Sequence, residues 1–498
     1  MGGAKLYGDD PTVPLRELIQ NAADAVQARR RFEGRGTDWG KIVVGIEQRD
    51  DGLWLIVEDN GIGMSEMVLT GPLLDFGTSF WRSPLAMEEF PGLMAAGMDS
   101  IGRFGIGFFS VFMLGSSVKV FSRRCNQGAE LGRLLEFRSG TSMRPILSQP
   151  DYRKLPLDGG TRVEVRLKID PTQRGGLQYS LFYGAGPLPL PALVGLLAPN
   201  LNVALFVRSD GVETQITRPG DWLDIADEQF AFRLSPWKSK GPPDHKLMRI
   251  VLNEDGQTVG RAAIHPEAEY SYYPTGGWVS VAGLRATRMR NVSGVFLGEA
   301  MTAARDTAVP MVDDAGLAKW ASEQAELICQ HVHDEEKQAE AAEVILGCGG
   351  TLGNLKIVCF GGEWLDQHQL TALVKDRVKL SIQLEGEFSY DEDHDDVFPR
   401  AFRDSFQMAG DVAMVPSHEG SILKNSFARW PNIDPPPGDL KTRLAAFVIE
   451  VITRAWGGRI ESTPETRVVG DVDGTLIERD VDRLSIPSPL PWDDEVET

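Results

Sequence analysis

The sequence predicts an α/β protein of several domains. Three observations carry that reading: an apolar stripe at helical spacing, two strand-like runs directly after it, and a length beyond the reach of one core. In residues 14–31, Leu15, Leu18, Ile19, Ala22, Ala25 and Val26 recur with the period of a helix that buries one face. Residues 41–59 read KIVVGIEQ and LWLIVED around Asp50-Asp51-Gly52, which is two strands joined by a turn. A chain of 498 residues with 42% hydrophobic content exceeds what a single core organises, so it divides into domains.

Farther along, residues 60–105 are rich in Gly, Met and Pro. They predict a long loop with short helices, and long loops within compact domains are usually functional. Residues 108–123 predict a helix and then a strand, and GTRVEVRLK at 160–168 a further strand. PLPLP at 187–191 precedes an apolar helix and the strand LNVALFV. We place the end of the first domain near 218, a second α/β region at 219–335, and a third region of mixed strands and helices at 336–484 with an amphipathic helix at 440–456. Residues 485–498, with their prolines and acidic end, have the composition of a disordered tail.

The net charge of −20 repels a phosphate backbone, which disfavours a nucleic-acid binder. The four cysteines, Cys125, Cys329, Cys348 and Cys359, are scattered and form no CxxC pair, as expected of a reducing compartment. The N-terminus lacks a signal-peptide pattern, and no apolar run approaches the length of about 18 residues needed to span a bilayer. The expected location is cytoplasmic, with no membrane partner.

Three short motifs point to chemistry. In RELIQNAADA (16–25), Glu17, Asn21 and Asp24 are spaced i, i+4, i+7 and share one helical face opposite the apolar stripe. A carboxylate and an amide aimed together at a cavity suit water activation and Mg²⁺ coordination; taken alone, the same spacing describes a solvated helix face. In VEDNGIGMS (57–65), Asp59 ends an apolar strand and Gly61 and Gly63 follow. A carboxylate there can accept from an exocyclic amine, and the glycines allow backbone to approach a planar base; alone, this is a surface turn. In IGRFGIGFFSVF (101–112), Gly102, Gly105 and Gly107 lead into an apolar helix, where backbone N–H groups can bind phosphate. That loop does not follow a strand in a βαβ unit, which disfavours a Rossmann fold. Gly160-Thr161, opening a strand, carries nothing by itself.

In this order the motifs resemble the GHKL superfamily, which groups gyrase, heat-shock chaperones, histidine kinases and MutL. The wording LRELIQNAADA, EDNGIGM, FGTS and IGRFGIGFFSVF is most similar to the heat-shock protein 90 family, strongly through 14–168 and weakly to about 320. The resemblance implies a GHKL two-layer α/β sandwich, with helices on one face of a mixed sheet, followed by an α/β middle domain and a C-terminal α/β region. It implies ATP and Mg²⁺ as cofactors and hydrolysis by direct attack of water. Glu17 resembles the general base and Asn21 the Mg²⁺ ligand. Asp59 resembles the residue that reads the adenine amino group, with Thr161 supporting it through water. Gly63 and Met64 would lie against the base, Gly105, Ile106, Gly107 and Phe108 would offer N–H groups to the phosphates, and Asp24, Gly61, Gly102, Thr78 and Ser79 would complete the nucleotide site. Residues 79–104 resemble the ATP lid. Arg305, in AMTAARDTAVPM (300–311), loosely resembles a catalytic arginine of the middle domain.

The resemblance further implies a homodimer with protein clients. The alternative is an ATP-gated switch in a stress, defence or MutL-like complex, because the wording of the C-terminal third is not that of the chaperones. Departures from the family pattern include only 13 residues before Pro14, a shortened stretch between Met64 and Gly77, and no lysine before Gly77-Thr78. Several tempting motifs read as ordinary structure. The DVDGT of 471–475 has only 23 residues after it and reads as a turn rather than a phosphatase nucleophile. GCGGTLG (347–353) follows a helix and precedes a strand, the wrong order for a phosphate loop. Cys329, His331 and His333 lack a further ligand pair, and DEDHDD (391–396) reads as a solvated acidic loop.

Overall fold

The computed structural model describes residues 10–75, 80, 83–91, 107–179, 186–236, 245–266, 276–302, 307–386, 406–423, 430–472 and 474–487. They fall into two compact units. The first comprises residues 1–243, 278–288 and 294–311, and the second the remainder.

Helix α1 (Val13–Glu33) opens the first unit. Pro14 sits in its first turn, where the missing N–H costs nothing. Gly34 ends it in the left-handed conformation at φ 65°, its N–H closing on the Arg30 carbonyl. The predicted stripe is buried except at half-buried Ala25, and Arg16, Glu17, Gln20 and Asp24 on the other side are buried as well. A helix enclosed on both sides is not the solvated amphipathic element that its polar residues suggest.

The helix packs on an eight-stranded mixed sheet. Its strands are β1 (Lys41–Arg49), β2 (Gly52–Asp59), β3 (Val118–Arg123), β4 (Arg133–Phe137), β5 (Ile146–Ser148), β6 (Gly160–Arg166), β7 (Ala204–Ser209) and β8 (Val212–Thr217). Their order is β5-β4-β3-β6-β2-β1-β7-β8, with β1 and β7 the parallel pair. Cross-strand register assigns the faces. Leu55 lies opposite Val165, Val57 opposite Val163, and these opposite Val118 and Val120, an apolar face with every one of those side chains buried. The alternate positions carry charge: Arg49 and Arg162 both hold Glu164, at 2.7 and 2.8 Å, and Arg162 also reaches Glu58 at 2.9 Å.

The loop after β2 carries helix α2 (Glu66–Thr70), capped by Ser65, and then helix α3 (Pro84–Glu89), capped by Ser83. The helix expected after residue 107 is instead a 3₁₀ segment, Gly107–Met113. Its aromatic side chains gather on β4, with Phe112 5.3 Å and Phe108 6.0 Å from Phe137. That tertiary packing overrides the sequence's preference for an α-helix. Helices α4 (Leu190–Leu197), α5 (Asp221–Asp224) and α6 (Asp227–Leu234) complete the N-terminal part.

Between residues 249 and 310 the chain runs through β9 (Arg249–Leu252), β10 (Thr258–Ile264), β11 (Gly277–Val281), β12 (Leu284–Met289), β13 (Val292–Ala300) and β14 (Ala308–Pro310). The second unit holds helices α7 (Asp314–His331), α8 (Glu335–Gly347), α9 (Gln367–Lys375) and α10 (Arg443–Ala455). Gln324, fully buried on α7, accepts from the Ile264 N–H and donates to the Leu247 carbonyl, both at 2.9 Å. A seven-stranded sheet follows, built from β15 (Val358–Phe360), β16 (Glu363–Leu365), β17 (Lys379–Gly386), β18 (Phe406–Met408), β19 (Val412–Pro416), β20 (Glu461–Val472) and β21 (Thr475–Ser485). The DVDGT segment is the tip of the β20–β21 hairpin, where Val472 pairs with Thr475, so the turn reading holds. DEDHDD lies outside the described residues. Among the described residues, no helix is long and apolar enough to cross a membrane.

Gly63 and Gly34 offer a contrast. Both have positive φ, at 71° and 65°, but a Cβ at Gly63 would lie 1.9 Å from the Arg123 carbonyl oxygen, whereas one at Gly34 meets nothing within 4 Å. Gly34→Ala should therefore cost about 1 kcal/mol, from left-handed strain alone. Gly63→Ala should cost at least about 3, strain and overpacking together. Equal shifts of the denaturant midpoint for the two variants would contradict this packing.

Candidate functional site

The site begins where the apolar face of the sheet ends. Asp59 on β2 lies opposite Thr161 on β6, and Thr161 lies opposite Ser122 on β3. The three form one polar row across adjacent strands, and all are buried. The Gly61 N–H donates to Asp59 Oδ1 at 2.8 Å. Burial pushes the Asp59 carboxyl up to about 7, and the N–H groups of Gly61 and Thr161 only partly offset it. Such a carboxylate is short of donors, the state of a group placed to receive them from a ligand.

The loop after Asp59 is fixed by backbone contacts. The Ile62 N–H donates to the Ala25 carbonyl of α1 at 2.9 Å, and the Ile62 carbonyl accepts from the Cys125 N–H at 3.0 Å. A Cβ at Gly61 would strike the Ala25 backbone at 2.5 Å. The glycines of this motif are thus required first by the helix and the end of β3. Arg29 of α1 donates to the Asn60 carbonyl at 2.9 Å and the Asp158 carbonyl at 2.8 Å, clamping the turns before β6 and after β2. The Met64 N–H donates to Ser122 Oγ at 2.9 Å.

Along α1, Glu17 and Asp24 are 7% and 2% exposed, while Asn21 between them is the one exposed residue from Val13 to Arg30. Their shared face is therefore a buried one that opens at a single amide. The amide oxygen is a hard donor of the kind Mg²⁺ takes. Arg16 lies 3.6 Å from Glu17 and also donates to the Arg285 carbonyl at 3.4 Å. The Glu17 carboxylate rests against the start of the 3₁₀ segment: a Cβ at Gly107 would lie 2.1 Å from Glu17 Oε2. Only glycine leaves that oxygen where it is. Phe108 is buried among aromatic rings.

Of the segment resembling a lid, residues 80 and 83–91 are described, and they are anchored. Phe90 is 1% exposed, in edge contact with Phe32 and Phe80. Glu89 accepts from Arg124 at 2.7 Å and from the Ser65 hydroxyl at 2.8 Å.

The structure thus brings Asp59, Gly61, Gly63, Met64 and Thr161 together at one end of α1, and Glu17 and Gly107 at the other. Thr78, Ser79, Gly102, Gly105, Ile106 and Arg305 lie outside the described residues. Sequence reasoning missed Ser122 and Arg29. Ser122 had a signal: in Val118, Val120, Ser122, a polar side chain interrupts the apolar parity of a strand, as Asp59 does after Leu55 and Val57. Arg29 gave no signal for this role, since its i+4 partner Glu33 describes an ordinary helix pair and the carbonyls it clamps are remote in sequence.

The raised Asp59 value has a consequence for stability. The folded protein keeps a proton that the unfolded chain releases above its ordinary value of 3.8. Between there and about 7, stability falls as pH rises. Asp59→Asn removes this loss, so relative to wild type it should gain about 2 to 3 kcal/mol between pH 5 and pH 8. Parallel pH profiles of the two unfolding free energies would refute the assignment.

Comparison with known proteins agrees with this geometry. Residues 11–139 match the family described as histidine kinase-, DNA gyrase B-, and HSP90-like ATPase. The chain is 34% identical over 197 residues to the chaperone protein HtpG of Nitrobacter hamburgensis, covering 37% of this chain and 30% of that protein. It is 38% identical over 237 residues to the HtpG of Anaplasma marginale, covering 44% and 33%. It is 29% identical over 168 residues to the mitochondrial heat shock protein 75 kDa of Bos taurus, covering 34% and 23%. The chain therefore spans about a third or less of the length of these relatives. Motif order, sheet and similarity converge, and residues 11–139 belong to the histidine kinase-, DNA gyrase B- and HSP90-like ATPase family.

Proposed function

We propose that the first domain binds and hydrolyses ATP, and that the cycle drives a conformational switch through which the chain acts on protein clients as a chaperone. The observation that carries this reading is the donor-poor Asp59 carboxylate at one end of α1, with a second buried carboxylate, Glu17, toward the other. Asp59 accepts from the amino group of adenine, supported by Thr161, while Gly61, Gly63 and Met64 face the base. Glu17 orients the attacking water and takes its proton. Asp24 supports the helix face on which Asn21 opens. The backbone N–H groups of Gly102, Gly105, Ile106, Gly107 and Phe108, with Thr78 and Ser79, receive the phosphates. Mg²⁺ held through Asn21 would offset phosphate charge. Arg305 is the candidate for stabilising charge on the terminal phosphate.

The chaperone part rests on the names of the relatives, HtpG and heat shock protein 75 kDa. Their similarity to this chain is confined to a part of it, so residues 336–484 are where its own partners would be selected. We take the protein to be a cytoplasmic homodimer with domain boundaries near 218 and 335.

Turnover and binding test the reading together. Glu17→Ala should lower ATP hydrolysis by about 10²-fold or more and leave nucleotide affinity within about threefold. Gly107→Ala, which displaces the Glu17 oxygen, should reproduce most of that loss. Wild-type turnover no faster than that of Glu17→Ala would exclude hydrolysis. Failure of ATP to change the aggregation of a heated client would exclude the chaperone role.

A further inference from the structure

Ser122 makes every hydrogen bond a hydroxyl can make. Its Oγ donates to the Gly160 carbonyl at 3.1 Å, receives the Met64 N–H at 2.9 Å, and lies 2.9 Å from Thr161 Oγ1. A serine has one proton and two lone pairs. Gly160 offers only a carbonyl, so it takes the proton. Met64 offers only an N–H, so it takes one lone pair. The remaining lone pair faces Thr161, which must therefore be the donor. The side chain is fully buried.

The outcome is a threonine whose proton is spent backwards, toward β3. What Thr161 turns the other way, toward Asp59 in the same row, is lone pairs alone. Ionised Asp59 is likewise only an acceptor. The end of the sheet thus presents an acceptor-only edge.

Resting on the nucleotide reading above, we propose that Ser122 is a positioning residue that sets base selectivity: by fixing the Thr161 hydroxyl as an acceptor, it makes the site accept a purine with an amino group at position 6 and reject one with a carbonyl there. A 6-oxo purine would set its carbonyl against the lone pairs of Thr161 and the charge of Asp59. An unpaired buried polar group of that kind is what rejection is built from.

The test compares ATP with inosine triphosphate, which exchanges the 6-amino group for a carbonyl and adds a proton on N1. Affinities are measured by calorimetry at pH 8 for wild type, Ser122→Ala, Ser122→Thr and Thr161→Val. Wild type should prefer ATP strongly. Ser122→Ala frees the Thr161 hydroxyl to rotate and donate, so the ATP-to-inosine preference should shrink about tenfold. Ser122→Thr keeps the hydroxyl and should restore it. Thr161→Val should also shrink it, and it carries the test if Ser122→Ala does not fold. Equal weakening of both nucleotides would make Ser122 merely structural and overturn the proposal. An unchanged ratio in Ser122→Ala, with wild type still preferring ATP, would also overturn it while leaving the nucleotide reading standing. Wild type that binds neither nucleotide would instead bring down that reading, and the proposal with it.

Discussion

A carboxylate withdrawn from water must be supplied with donors or hold a proton. Among the described residues, the donors that Asp59 receives are the N–H groups of Gly61 and Thr161, although an ionised carboxylate can accept about four hydrogen bonds. The surroundings are organised to sustain this deficit. The loop after Asp59 cannot swing away to let water in, because Ile62 is bonded to α1 and to Cys125. The turns on either side cannot spread, because Arg29 holds the carbonyls of Asn60 and Asp158 together. The glycines at 61 and 63 are the consequence, since any side chain there would separate the surfaces that keep the carboxylate dry.

The sheet explains why the deficit is tolerated at that point and not elsewhere. Its two faces do opposite things. One is apolar and covered by α1, and the other carries a ladder in which Glu164, itself nearly inaccessible, is held by two arginines and kept below the usual carboxylate range despite its burial. A buried carboxylate with two guanidinium partners is a structural group. One with backbone donors alone keeps acceptor capacity unused. Asp59 and Glu164 sit three residues apart in register on neighbouring strands, and the alternation of side chains sends them to different faces and different fates.

Much of this was legible in the sequence, and the reasons for the remainder are specific. Periodicity announced α1 and the β1–β2 pair because their buried faces follow helix and strand repeats. Asp59 was legible because a carboxylate closes an apolar strand. Ser122 was overlooked because its importance comes from register between β3 and β6, strands separated by a long stretch of chain. The 3₁₀ segment was read as an α-helix because local sequence does not disclose that Phe108 and Phe112 must reach Phe137 on β4. The enclosure of Glu17 and Asp24 was equally invisible, since spacing alone describes a solvated face and a sheltered one identically.

Helix α1 is the part that both ends of the site share. Glu17 stands on it, the Ala25 carbonyl accepts the loop that carries the Asp59 motif, and Arg29 clamps the turns beyond. Eight residues separate Glu17 from Ala25, about 12 Å along a helix axis. That is the scale of a nucleotide and not of a single functional group. A rigid helix, enclosed on both sides, converts this separation into a fixed length between Glu17 and the carbonyl that anchors the loop after Asp59. The 3₁₀ segment then matters as much as the helix. Its aromatic side chains fasten it to β4, and that fastening sets Gly107 against the Glu17 oxygen. A carboxylate carried on a rigid rod, with Gly107 packed against one of its oxygens, has that oxygen's position limited by backbone, and this is the preorganisation on which the proposed role of Glu17 in orienting water depends.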